Sequence, residues 1–179
     1  MGIPTLISTT TASGAANVSI TSGIDSTYDE YMFVITDWNP ATDVQYLTFQ
    51  CSIDGGSNYN VPIVTSYFRI GHFEDDSWST LAYVDSFDEQ NTTNFQKLDL
   101  LTGNDADQTC AGILHLFSPA STTYVKNFYA RFNSYYNEDA TIESFVAGYF
   151  NDADDDINAI QFKQSSGNID SVVQMYGIA

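Results

Sequence analysis

Apolar residues along this chain recur at every second position over short stretches, and Gly, Asn, Asp, Ser and Thr interrupt them about every ten residues. The clearest stretch is VQYLTFQCSI at 44–53. In a pleated strand Leu47, Phe49, Cys51 and Ile53 point to one side, and Tyr46, Thr48, Gln50 and Ser52 to the other. The first set predicts a core face; the second predicts contact with solvent or a neighbour. DGGSNY follows, with two glycines able to take positive φ and an aspartate able to bond its own backbone, which predicts a hairpin turn. The same patterning predicts strands at 17–21, 30–37, 63–73, 80–85, 95–100, 112–117, 124–132, 144–150, 159–163 and 172–176. Strands in that number need two packed sheets or a closed barrel. The expectation is an all-β, jelly-roll-like antiparallel β-sandwich, formed by residues 16–179 as one domain, with residues 1–15 an N-terminal arm or first edge strand. Helix-period segments and internal repeats are absent from the sequence.

Two runs depart from simple alternation. YMFVI at 31–35 and GILHLF at 112–117 are apolar at both parities. Strands read this way when they are covered on both sides, by a further layer or by another subunit.

Composition reinforces the strand reading, since 12 Tyr, 12 Phe and 2 Trp suit a pleated, half-buried surface. Charge narrows the partners. Five Lys and Arg stand against 23 Asp and Glu, for a formal net charge of -18. Such a field repels phosphate backbones and anionic headgroups, so nucleic acid is excluded as an expected partner. It favours cations, calcium among them, and basic protein surfaces. No apolar run approaches the roughly 20 residues of a membrane span, and MGIPTLIS lacks the basic start and apolar stretch of a secretory signal. The expectation is a protein made and assembled in a cytoplasm, with no membrane span. Cys51 and Cys110 are too few for a disulfide scaffold and read as buried free thiols.

Candidate chemistry is sparse. His72 and His115 lack any metal-binding or catalytic companion at the usual spacings. Acidic residues are so numerous that no pair stands out as a glycosidase couple, and the reading is of a non-enzyme. In NDADDDIN at 151–158, Asp152, Asp154 and Asp156 alternate as candidate calcium ligands, although the EF-hand pattern is not met; a solvated acidic loop is the competing account. HFEDDSW at 72–78 reads as an exposed turn. Trp38, Trp78, Tyr135 and Tyr136 are candidate stacking or interface residues, because a flat ring covers the apolar face of a sugar. For Trp38 the alternative is a plug at the end of the sandwich.

Four segments carry a resemblance: SGIDSTYDEYMFVITDWNPATD at 22–43, DGGSNY at 54–59, LHLFSPASTTYVKNFYAR at 114–131 and AIQFKQSSGNI at 159–169. Together they resemble small virion proteins of marine tailed phages, of the cyanophage and pelagic phage type, and similar stretches recur in phage tail-fibre domains. The resemblance implies a virion component without catalytic residues. The chain has no stalk or collagen-like repeat, so it is closer to a head decoration or knob protein than to a long fibre. Such a protein sits on the major capsid protein at the virion surface as a symmetric homo-oligomer, commonly a trimer. A tail-fibre, receptor-binding or carbohydrate-binding module is the alternative.

Overall fold

Two sheets are what the alternation builds, and they are unequal in size. The computed structural model describes residues 2–152 and 154–179. Its strands are β1 (Thr5–Ala15), β2 (Val18–Ile20), β3 (Glu30–Pro40), β4 (Leu47–Ser52), β5 (Ile63–Phe73), β6 (Ser79–Tyr83), β7 (Gln90–Thr92), β8 (Gln96–Lys97), β9 (Cys110–Phe117), β10 (Lys126–Tyr136), β11 (Ala140–Phe150), β12 (Ala159–Gln164) and β13 (Ile169–Ile178). The larger sheet has nine strands in the order β1-β13-β3-β9-β10-β11-β5-β6, with β7 also on β5. The smaller has four, β2-β12-β4-β8. All pairings are antiparallel. The protein is thus an all-β antiparallel sandwich. Residues 5–15 form its first edge strand, paired with β13.

The core lies between the sheets and is aromatic. Phe49 of β4 has its ring 5.1 Å from Phe128, 6.0 Å from Phe150 and 6.3 Å from Phe162, and Phe162 reaches Phe33 at 5.7 Å. These rings are almost wholly buried, together with Leu47, Cys51, Ile63, Leu114, Leu116 and Val173. Both cysteines are buried free thiols, and burial pushes each thiol's pKa up.

Three expectations need correction. First, β4 is buried on both sides, Thr48, Gln50 and Ser52 included. The polar side is covered by the chain itself: the Gln50 amide donates to the loop carbonyls of Val61 and Asn94, and Thr48 Oγ1 donates to the Lys163 carbonyl of the neighbouring β12. Second, DGGSNY makes the expected tight turn, with Gly55 at φ 70° and Gly56 at φ 87°, and Asn58 N–H donating to Asp54. It is not a hairpin, however; it carries the chain from the small sheet to the large one. Third, the strand expected at 95–100 shrinks to Gln96–Lys97.

That shortening has a cause in Asp99. Its carboxylate turns inward, fully buried, and accepts the Leu47 N–H at 2.6 Å and the Thr102 hydroxyl at 2.6 Å. Among the described residues it has no ion-pair partner; the titratable groups that feel its charge include Tyr46, Tyr67 and Cys110. Desolvation outweighs its two hydrogen bonds and raises its pKa from 3.8 to about 7. A folded pKa above the unfolded one means that stability is fullest below the unfolded value and falls as pH rises through the folded one. The loss is on the order of 4 kcal/mol when complete. Asp99→Asn keeps an acceptor for Leu47 and can donate to Thr102, without the charge. In urea melts the variant's advantage over the wild type is expected to grow by about 2–3 kcal/mol between pH 5 and pH 8; a pH-independent difference would show that the buried charge is not what Asp99 contributes.

Candidate functional site

The small sheet covers one face of the large sheet, and the opposite face is open. Alternation places every second residue of β3, β9, β10, β11, β5 and β6 outward, and register aligns these residues into rows. One row is Val34, Ile113, Arg131, Phe145, Phe68 and Tyr83; the next is Met32, His115, Tyr129, Ala147 and Ser66. Phe68 and Phe145 stack at 4.6 Å with planes 5° apart, His115 stacks on Tyr129 at 4.6 Å, and Arg131 lies over Phe145 at 5.3 Å. A shallow groove of about 300 Å³, lined by Phe68, Tyr129, Phe145 and Ala147 among others, runs between the rings.

The charges on this face are few and matched. Neither row contains an Asp or Glu. The flanking rows add Glu143, which pairs with Arg131, and Glu30, whose carboxylate accepts from His115 Nδ1 at 2.5 Å. Acids crowd the turns instead, for example Glu74, Asp75 and Asp76 after β5 and Glu138 and Asp139 after β10. A chain of charge -18 therefore keeps one broad face nearly neutral and apolar. The both-parity runs at 31–35 and 112–117 belong to this face. The contributions of Phe68, Phe145 and Leu81 were not singled out in the sequence, although Tyr67 and Phe68 put large rings at both parities of the 63–73 strand.

The aromatic candidates divide. Trp38 is fully buried and its indole N–H donates to Gln164 Oε1 at 2.6 Å, so it meets neither ligand nor partner. An irregularity in the β3–β9 pairing between Ile35 and Trp38, with Asp37 at φ 53°, turns its side chain inward. Trp78 and Tyr136 do come together: each packs against Phe73, at 5.0 Å and 6.5 Å. Tyr135 points to the other side of β10, where its hydroxyl donates to Asp139 at 3.0 Å and the carboxylate pushes the phenol up to about 12. A groove of about 440 Å³ between the two turns is lined by Phe73, Glu74, Asp75, Ser77, Glu138 and Asp139.

In the 151–158 loop, Ala153 lies outside the described residues. Asp152, Asp154 and Asp156 are not gathered into a ligand set; among the described residues no three acidic, His or Cys side chains converge on a metal position. The loop is organised around a cation of the chain's own. Lys126 sits at an inward position of β10, fully buried, and its ammonium donates to the backbone carbonyls of Asp152 and Asp155. Desolvation lowers its pKa, and the neighbouring Asp152, Asp155, Asp156 and Asp154 oppose that shift. The signal was present in the sequence: KNFYARFNS places Lys126 in phase with Phe128, Ala130 and Phe132.

Comparison with family models, with curated proteins and with solved structures returns no match to this chain.

Lys126→Met would take the ammonium donor from two backbone carbonyls, leave an apolar side chain among them, and leave four carboxylates without their internal counter-charge. Its expected cost is about 2–4 kcal/mol in chemical denaturation, with faster amide exchange across 151–158. Lys163→Met is the control, because Lys163 Nζ lies over the Phe95 ring at 3.7 Å and its loss should cost less than about 1 kcal/mol. Equal costs for the two would remove the special role of Lys126.

Proposed function

We propose that this chain is a non-enzymatic bacteriophage virion surface protein that decorates the capsid. The observation that carries the reading is the division of its surface into one apolar, nearly neutral sheet face and acidic turns around it. A decorating subunit needs such a division: an apolar face to pack in an assembly, and a like-charged exterior that keeps assembled particles apart in solution. The resemblance of the 22–43, 54–59, 114–131 and 159–169 segments to small virion proteins of marine tailed phages supports the same reading. Its partners are then further copies of itself and the major capsid protein, and the chain is assembled in the host cytoplasm.

A second reading, a receptor- or carbohydrate-binding module at the tail, is favoured by the acidic groove with Phe73 in its wall and Trp78 and Tyr136 packed on that ring. Immunogold electron microscopy of intact phage with antibody to this chain separates the two. Gold over the head is the expected outcome. Gold confined to the tail, with purified protein competing for phage adsorption, would establish the second reading instead, and particles without label would remove both.

A further inference from the structure

We infer that the open face of the nine-stranded sheet is a two-fold interface on which a second copy of this chain packs face to face. This rests on reading that face as an assembly surface, and it is independent of where on a virion the protein sits.

Area is the first argument. Six of the large apolar side chains left exposed lie here: Phe68, Ile70, Leu81, Tyr83, Ile113 and Tyr129, with Leu81 73% and Tyr129 47% exposed. Their exposed surface sums to roughly 600 Å², at the upper end of what monomers carry in one patch. With the half-buried Met32, Val34, Phe117 and Phe145 around them, the face approaches the ~800 Å² that each partner contributes to a stable pair.

Charge decides the occupant. A basic partner would be drawn to the acidic turns, where the field is strongest, and not to a face whose Arg131 and Glu143 already satisfy each other. A second copy carries the same -18 and is repelled at every acidic surface. Two copies can approach closely only where acids are missing or paired, and that is this face.

Symmetry follows from the patch being single. A ring of three uses two different, mutually complementary surfaces on each subunit, whereas one self-complementary patch closes as a two-fold pair. Before it continues into the polar Gln174 and Thr9, the central row runs Val34, Ile113, Arg131, Phe145, Phe68, Tyr83, and the midpoint of this part falls between Arg131 and Phe145. An axis there lays each guanidinium beside the partner's Phe145 ring and puts the acidic turns at the rim, in water and screened by salt.

The test is sedimentation velocity of the full chain over a range of concentration and salt, on wild type and on Tyr129→Glu and Phe145→Glu, with circular dichroism as a check on folding. The wild type should sediment as a dimer, tightening as salt rises. Each folded variant should raise the dissociation constant at least about tenfold. Ala147→Cys supplies a second measurement that does not depend on a charge placed in the sheet. Both native cysteines are buried, so oxidation of this variant should give a cross-linked dimer, whereas Val34→Cys, on β3 two strands further from the axis, should not. A wild type that is monomeric at all concentrations, or a trimer unaffected by both Glu variants and not cross-linked through residue 147, would overturn the inference. A dimer absent from virions would leave it standing and remove only the decoration reading.

Discussion

The sandwich depends on Phe49, which is where the two sheets grip each other. The small sheet has four strands and can cover one face of a nine-stranded partner, so something must decide where it lands. Phe49 does so by filling the space between Phe128 and Phe150 of the large sheet while lying against Phe162 of its own. A slip of one residue in β4 would exchange Phe49 for Thr48 or Gln50 and bring polar groups into an aromatic core. The hydrogen bonds that Gln50 makes on the far side, to the carbonyls of Val61 and Asn94, hold the same register from behind. Choosing a core face for the large sheet also chooses, by exclusion, which face is left open.

Strand periodicity was legible because it is local. The 63–73 strand reads from Ile63 to Phe73 in both sequence and structure, and the inward set of β10 follows the alternation from Phe128 to Ser134. What alternation cannot express is the partner. Thr48, Gln50 and Ser52 looked solvent-facing because they are polar, yet Gln50 is buried against the Val61 and Asn94 carbonyls of loops more than ten residues away, Thr48 bonds the Lys163 carbonyl of the neighbouring β12, and Ser52 bonds Asp54 in the turn that follows. Trp38 was legible as a plug at the end of the sandwich as well as a candidate stacking or interface residue, and what alternation could not show is the pairing irregularity between Ile35 and Trp38 that turns it into the core. Asp99 was overlooked for the same reason, since its burial rests on hydrogen bonds to Leu47 and Thr102 that only the fold supplies; the phase of Lys126 with Phe128, Ala130 and Phe132 was legible, but not the loop carbonyls it binds. Of the open face, the half contributed by 31–35 and 112–117 was visible as apolar residues at both parities. Its completion by Phe68, Phe145 and Tyr83 depended on strand order.

The distribution of charge is as organised as the core. With five cations in the chain, few carboxylates can be neutralised, and the available cations go to specific places. Lys126 anchors the most acidic loop through backbone carbonyls, Arg131 neutralises Glu143 on the open face, and Lys97 lies over the rings of Phe87 and Tyr46. Apart from the buried Asp99, most of the remaining acids stay in turns and loops, where water solvates them at little cost. Self-repulsion is thereby spread round the rim of the sandwich, and the two flat surfaces of the large sheet, one covered by β2, β12, β4 and β8 and the other open, stay free of unpaired charge at their centres.

The position of β13 has a consequence for how the chain is made. This strand is the last of the thirteen in sequence, yet in the sheet it lies between β1 and β3, two of the earliest. Until it arrives, β1 has no neighbour in the large sheet and β3 presents an unsatisfied row of amides and carbonyls. Nearly the whole length of the chain must therefore leave the ribosome before its first strand can be placed, and closing so long a loop makes this a late and slow step. The nascent chain waits with a gap in its sheet of one strand's width, which only a segment with the alternation of Ile169–Ile178 fills. Another copy's β13 has that same alternation, so where many chains are synthesised at once, strand exchange between neighbours competes with correct closure.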